Sequence, residues 1–220
     1  DLGEYSMDAV LIHYCTDIPL KLLKSLRNKG VPALLLSSIM EGCEEFCSGY
    51  SNERIVEDAV KYLAGLGHTQ IGFLIDMENV IPNSIRLRSF SSAMWKLRLP
   101  VNPDWILHSA SKVDSIAEYL ARSERPDALI LGNCVYQSQM IKAMKHNNLN
   151  APDDLSVFVI DENYDTLRYP EQFSRFKVNV ESFSEQAVSR LLRLLKSEDL
   201  PASEFCNYDF VDAGTCRRLD

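Results

Sequence analysis

The chain has 220 residues, of which 23 are Lys or Arg and 31 are Asp or Glu, so its formal net charge is −8. This length is enough for one large domain or two small lobes with a buried core, and a disulfide scaffold is unnecessary. Because affinity for nucleic acids rests on cationic contacts to phosphate, the acidic balance argues against a DNA-binding surface on this polypeptide alone.

The composition also predicts a soluble, cytoplasmic protein. Hydrophobic residues make up 46% of the chain, but the longest apolar runs, such as Ala33–Leu36, are far too short to cross a bilayer. Residues 1–8 are polar and acidic, and they lack the basic start and the apolar stretch of a secretory signal. The cysteines follow no recognisable framework spacing and are predicted to be reduced thiols. They are Cys15, Cys43, Cys47, Cys134, Cys206 and Cys216.

Short apolar runs alternate with longer segments of helical period along the whole chain. The predicted strands, in chain order, are residues 9–14, 32–38, 71–76, 104–108, 127–133, 155–161 and 176–180. The predicted helices are residues 19–29, 54–66, 83–97, 115–123, 136–147 and 183–196. Gly30 and Gly67 are predicted to end the first two of these helices in the left-handed conformation.

The pattern of the strands predicts the fold class. Runs such as 128–131 and 157–160 are continuously apolar, which indicates strands buried on both faces. Strands of this kind form parallel sheets that are covered by helices on both sides. The sequence therefore predicts an α/β protein with doubly wound parallel sheets.

Polar side chains stand where the predicted strands end. In open parallel sheets, ligands bind beyond the carboxyl ends of the strands, because loops and helix N-termini converge there. Short hydrogen-bonding side chains suit a small polyhydroxylated or polar ligand, although each of them could instead cap the following turn or helix. The set consists of His13, Tyr14, Ser37, Ser38, Asp76, Asn133, Cys134, Asp161 and Glu162.

Catalysis and metal binding have weaker support. Asp161 and Glu162 could form an acid–base pair, but no nucleophile motif or partner histidine accompanies them. Cys43 and Cys47 lack the second pair of ligands that a zinc site needs, and there is no glycine-rich phosphate loop. The chain is therefore predicted not to be an enzyme and to use no cofactor or metal.

Four segments together resemble the effector-sensing domain of the lactose/galactose repressor (LacI/GalR) family of bacterial transcription regulators. They read LAGLGHTQIGF at 63–73, RLRSFSSAM at 86–94, PDALILGN at 126–133 and PDDLSVFVIDE at 152–162. The resemblance implies two Rossmann-like lobes around a cleft, of the periplasmic-binding-protein type. It also implies a small-molecule effector, a sugar or a derivative, that is held between the lobes. Its further implications are a homodimer, and contact with operator DNA through an attached headpiece.

The resemblance also assigns candidate effector-binding residues. Arg86 falls where the family has an effector-binding arginine, Asn133 on an effector-facing asparagine, and Asp161 on a sugar-gripping aspartate. Arg54 lies where some members place another polar residue of the cleft, which is a weaker match.

The sequence departs from the family pattern at several positions. Ser89 stands at the glycine of the Arg-x-x-Gly motif, Cys134 replaces the aspartate of Asn-Asp, and Val159 replaces a strand glycine. Because these changes lie close to the expected site, a typical sugar need not be the effector.

The resemblance implies lobe boundaries as well. Residues 1–52 and 173–198 are predicted to form an N-terminal lobe, and residues 53–172 and 199–220 a C-terminal lobe. A headpiece and two strand–helix units of the first lobe would precede residue 9 in a family member, so the parent chain is expected to continue upstream.

Two other functions remain open from the sequence. A periplasmic sugar-binding protein of a transporter would have the same fold. A sensor whose cleft has degenerated would serve only for dimerisation.

Overall fold

The computed structural model describes residues 7–13, 20–36, 47–76, 81–108, 112–161, 172–200 and 205–219. The strands, which we number in chain order, are β1 Val10–His13, β2 Ala33–Leu36, β3 Cys47–Ser48, β4 Ile71–Leu74, β5 Ile106–Leu107, β6 Ala128–Leu131, β7 Ser156–Asp161, β8 Ser174–Val178 and β9 Tyr208–Val211. The α-helices are α1 Leu20–Asn28, α2 Asn52–Gly65, α3 Ile81–Lys96, α4 Val113–Leu120, α5 Gln137–His146 and α6 Val180–Leu195. Short 3-10 helices lie at Pro103–Trp105 and Cys134–Tyr136.

The chain divides into two compact units. Unit 1 comprises Asp1–Ser51, Val80–Pro82 and Asn179–Asn207, and unit 2 comprises Asn52–Asn79, Asn83–Val178 and Tyr208–Asp220. The strand β8 belongs with unit 2 because it pairs with β7 and β9, whereas the sequence analysis placed it in the N-terminal lobe.

Unit 1 contains a three-stranded parallel sheet in the order β1-β2-β3. Its core joins Leu23 and Leu26 of α1 to Ala33 and Leu35 of β2 and to Cys47 of β3. The helix α6 packs against β2 and β3, and it begins where the Asn179 side chain accepts a hydrogen bond from the Ser182 amide. Gly30 ends the turn after α1 with a positive φ of 71°, as predicted.

Unit 2 contains a six-stranded sheet in the order β5-β4-β6-β7-β8-β9, in which only β9 is antiparallel to its neighbour. All four residues of β6 have no exposed surface, so the prediction of burial on both faces is confirmed. The predicted α/β class with parallel sheets is confirmed too.

Alternate side chains of each central strand face different helices. On one face of the sheet, Leu129, Leu131 and Val157 join a core with α4 and α5. On the other face, Phe158 lies 5.2 Å from the ring of Tyr62 in α2, and Phe73 stacks at 4.9 Å on Phe90 in α3. The sheet of unit 2 is thus covered on both sides, as a doubly wound fold requires.

The predicted strand 104–108 was wrong over its first part. Asn102 accepts a hydrogen bond from the Asp104 amide at 3.0 Å, and Pro103 provides the fixed φ that suits a first helical position. These two residues start a 3-10 turn that leaves only Ile106–Leu107 to pair with β4.

The amino edge of the unit 2 sheet is held by a buried histidine. His68 is 1% exposed; its Nε2 donates to the Arg217 carbonyl at 3.0 Å, and its Nδ1 lies 2.8 Å from Oδ1 of Asp127. Gly67, just before it, has a φ of 97°, which lets the chain turn from α2 towards β4. The histidine thereby ties the start of β4 to the start of β6 and to the C-terminal segment.

We expect His68→Leu to lower the free energy of unfolding by about 2–4 kcal/mol, because it leaves a carboxylate and a carbonyl without their buried partner. Asp127→Asn keeps a side chain of the same size whose amide can hydrogen-bond to Nδ1, so it should cost about 1 kcal/mol or less. Urea denaturation of both variants measures the difference. Equal losses in the two variants would contradict the role assigned to the imidazole.

Two glycines offer a matched test of packing. A Cβ added to Gly72 in β4 would lie 2.5 Å from Cδ2 of Leu129 and 2.7 Å from Oη of Tyr119, whereas a Cβ added to Gly65 in α2 would meet no atom within 4 Å. Gly72→Ala should therefore destabilise the protein by about 1–3 kcal/mol through overpacking. Gly65→Ala should stabilise it by about 0.5–1 kcal/mol, because alanine loses less entropy in a helix. Thermal unfolding that ranked the two variants in the opposite order would be inconsistent with this packing.

Candidate functional site

Arg86 is a fully buried cation in the middle of unit 2. It lies in α3 with 0% of its surface exposed. Its Nε donates to Oδ1 of Asn52 at 2.8 Å, and its Nη1 donates to the Gly132 carbonyl at 2.6 Å. Since Asn52 begins α2 and Gly132 follows β6, the guanidinium holds two helices against the carboxyl end of a central strand.

Asn133 stands next to this contact and starts the turn that follows β6. It is 8% exposed, and its Oδ1 accepts a hydrogen bond from the Val135 amide at 3.0 Å. The side chain is therefore the N-cap of the 3-10 helix Cys134–Tyr136. Because the cap occupies Oδ1, the Nδ2 group is the part of Asn133 that a ligand would meet.

Asp161 is the last residue of β7, on the neighbouring strand. The strands β6 and β7 are parallel, with Leu131 opposite Val159. Two residues further along the same register, Asn133 comes level with Asp161. The backbone thus brings these two predicted residues to one edge of the sheet, beside the carbonyl that Arg86 contacts; the structure describes the strand position of Asp161, and Glu162 lies outside the described residues.

Arg54 has a different environment from the other three candidates. Its side chain is 69% exposed, and its Nε lies 3.7 Å from Oδ2 of Asp58, one helical turn along α2. The same oxygen accepts a hydrogen bond from the Tyr208 hydroxyl at 2.6 Å. The contacts described for Arg54 place it in a surface cluster on α2, and they do not include Arg86, Asn133 or Asp161.

The predicted residue Asp76 also lies at this edge, together with Tyr136 and Asn83, which the sequence analysis did not single out. The Asp76 amide, just after β4, donates to the Tyr136 hydroxyl oxygen at 3.0 Å, and Asn83 Nδ2 donates to the Asp76 carbonyl at 2.7 Å. Burial raises the pKa of Tyr136 to about 12, so the phenol keeps its proton at neutral pH.

The other strand-end residues of the predicted set belong to unit 1 or fall outside the described ranges. His13 ends β1 in unit 1. Tyr14, Ser37 and Ser38 lie outside the residues that the structure describes. Cys134 is buried at the carboxyl edge of β6, with Sγ 3.6 Å from Oδ1 of Asn133.

The thiols in the described ranges are not set up for chemistry. Burial raises the pKa of Cys206 to about 11 and that of Cys216 to about 12, so neither is a thiolate at neutral pH. None of the four cysteines in these ranges forms a disulfide. The same ranges contain no group of His, Cys, Asp and Glu that could hold a metal ion, and Cys43 of the Cys-x3-Cys motif lies outside them.

Comparison with known proteins identifies the family. The periplasmic binding protein-like domain matches residues 60–206. The chain is 28% identical over 187 residues to an HTH-type transcriptional repressor PurR of Vibrio parahaemolyticus, covering 79% of this chain and 52% of that protein. It is 26% identical over 157 residues to a PurR repressor of Haemophilus influenzae, covering 70% and 47%. The chain therefore spans about half the length of these relatives.

Solved structures with the same fold are also regulators by name. A sugar-binding transcriptional regulator of the LacI family from Escherichia coli, complexed with phosphate, superposes with a TM-score of 0.83 at 18% identity, over 99% of this chain and 80% of that one. A LacI family regulator from Bifidobacterium animalis gives 0.80 at 22% identity, over 97% and 79%.

No helix among the described residues has the length and apolarity to span a membrane. The matched domain covers most of the chain, and the relatives in sequence are repressors. The chain thus belongs to the periplasmic binding protein-like domain family, which confirms the predicted type of fold, and it resembles regulators of the LacI family in its fold.

Proposed function

We propose that this chain senses a small polar effector on behalf of a DNA-binding transcription repressor. The observation that carries the proposal is the carboxyl edge of the unit 2 sheet. There, the buried Arg86 holds the end of β6, Asn133 follows directly, and Asp161 lies level with it on β7. An asparagine and an aspartate position at one sheet edge, with a buried cation behind them, are residue types that suit several hydroxyl or carbonyl groups of one molecule.

The relatives support a regulator over a transport protein. The proteins that resemble the chain in sequence are repressors, and those that resemble it in fold are transcriptional regulators. We extend the proposal to a homodimer in the cytoplasm that reaches operator DNA through a headpiece of the whole protein. The acidic balance of this chain, −8, agrees with leaving DNA contact to another segment.

The effector is proposed to be a sugar or a related polar molecule. Vicinal hydroxyls both donate and accept, so they pair with an amide, a carboxylate and a guanidinium together. The departures at Cys134 and Val159 lie beside the proposed site, and for this reason the panel of ligands should extend beyond sugars to sugar phosphates, nucleosides and purines.

The contacts of Arg86 indicate how binding would be transmitted. A ligand bound beside Asn133 would act on the end of β6, where Arg86 contacts the Gly132 carbonyl, and through Arg86 on Asn52 at the start of α2. If these elements have two arrangements, the ligand shifts the equilibrium between them only by the difference between its affinities for the two. The proposal therefore places the sensing step at the junction of α2, α3 and β6.

Two asparagine caps provide a matched pair of variants. Asn133 and Asn102 each accept a hydrogen bond at 3.0 Å from the amide two residues on, but Asn102 precedes β5 at the amino edge of the sheet. Serine keeps a capping oxygen and removes the amide nitrogen. We expect Asn133→Ser to weaken effector binding about tenfold to a hundredfold, and Asn102→Ser to leave it unchanged, in calorimetric titrations against the panel.

Both variants should unfold within about 0.5–1 kcal/mol of the original chain, since both caps survive. Absence of any heat or thermal shift with every ligand of the panel would argue against sensing. An equal loss of affinity in the two variants would move the site away from this edge.

A further inference from the structure

Gln137, the first residue of α5, is a buried amide without a partner. It has 0% of its surface exposed, and neither its Oε1 nor its Nε2 makes a hydrogen bond in the part of the chain that the structure describes. Buried polar side chains almost always have at least one partner, because burial without one costs free energy of folding. A primary amide that leaves both its donor and its acceptor unused therefore needs an explanation.

The position of Gln137 links it to the carboxyl edge of the sheet. Asn133 caps the 3-10 helix Cys134–Tyr136, which leads directly into α5, and the Tyr136 hydroxyl is fixed by the Asp76 amide after β4. Side chains on a helix lean towards its N-terminus. Because Gln137 stands in the first turn of α5, this tendency favours a side chain that leans towards the turn that follows β6.

A purely structural role would favour an apolar residue here. Met140 and Met144 follow Gln137 on the same side of α5, three and seven positions on, and both are buried in the core shared with α4 and the sheet. An apolar side chain at position 137 would continue this stripe at no desolvation cost. The amide interrupts the stripe only at its end nearest the proposed site.

We propose that Gln137 is a specificity-determining residue of the effector site. Its Nε2 donates to, and its Oε1 accepts from, an effector edge that carries an acceptor and a donor side by side. Vicinal hydroxyls of a sugar and the lactam edge of a nucleobase both have this chemistry. The inference rests on the proposed function and deepens it, because it adds a neutral, two-way hydrogen-bonding group to the charged ones.

The test compares three forms of the whole chain: the original, Gln137→Met and Gln139→Met. Methionine has nearly the volume of glutamine and no amide, so Gln137→Met removes the burial cost and the binding group together. Gln139→Met makes the same change two residues on, on a different side of α5, at a half-buried position where Oε1, but not Nε2, is buried without a hydrogen-bond partner. The probes are D-galactose and D-ribose as vicinal diols, and hypoxanthine and uracil as lactams, in calorimetric titrations.

We expect Gln137→Met to raise the melting temperature of the unliganded chain by about 2–4 °C and to weaken binding of the recognised probe at least about tenfold. Gln139→Met should bind that probe with unchanged affinity. If only the diols bind, the effector that pairs with Gln137 is a sugar. If only the lactams bind, it is a nucleobase.

The experiment distinguishes a wrong role for Gln137 from a wrong sensing function. If the original chain binds a probe and Gln137→Met binds it equally well, the role of Gln137 is overturned while the sensing function stands. A lower melting temperature in Gln137→Met also overturns it, because the amide would then be stabilising the fold. If the original chain binds none of the four probes, the result counts against both the sensing function and the role of Gln137.

Discussion

The arrangement of unit 2 depends on a buried cation. A guanidinium with no exposed surface keeps its charge only if the lost hydration is replaced by hydrogen bonds and other polar contacts, and Arg86 has two such hydrogen bonds, to Asn52 and to the Gly132 carbonyl. Position 132 is restricted in turn, since an added Cβ would lie 2.6 Å from Cδ1 of Ile75 and 3.0 Å from the Leu74 carbonyl oxygen. Glycine lets β6 end close against β4 and present its carbonyl to the arginine.

The amino and carboxyl edges of the unit 2 sheet differ in what their hydrogen bonds hold together. At the amino edge, His68 and the C-terminal segment connect the starts of several strands through buried hydrogen bonds. Thr215, for example, accepts a hydrogen bond from the Ser174 amide and donates one to the Val157 carbonyl. At the carboxyl edge, Asp76, Tyr136 and Asn133 hold short turns in place. Under the proposed function, an effector would add further hydrogen bonds to the polar groups of the carboxyl edge.

Gln137 illustrates how stability and binding oppose each other at such an edge. An amide that is desolvated in advance loses little further hydration when a ligand arrives, so the hydrogen bonds formed there contribute more to affinity and to discrimination. The folded protein carries the cost of that arrangement, and the packed stripe of Met140 and Met144 on the same helix provides the compensating apolar burial.

The family resemblance came from four ordered motifs. Local pattern in the sequence did not predict β3 or β9, but it was sufficient for the helices, for the buried strands β6 and β7, and for the turns at Gly30 and Gly67. These features follow from side-chain periodicity and from single-residue backbone preferences, which act over a few positions. Only the tertiary structure decided that Arg86 bonds to residues 34 and 46 positions away, that Asp76 meets Tyr136, and that β9 adds antiparallel to β8. Such partners are chosen by proximity after folding, and a buried group accepts whichever complementary atom the packing brings within hydrogen-bonding distance.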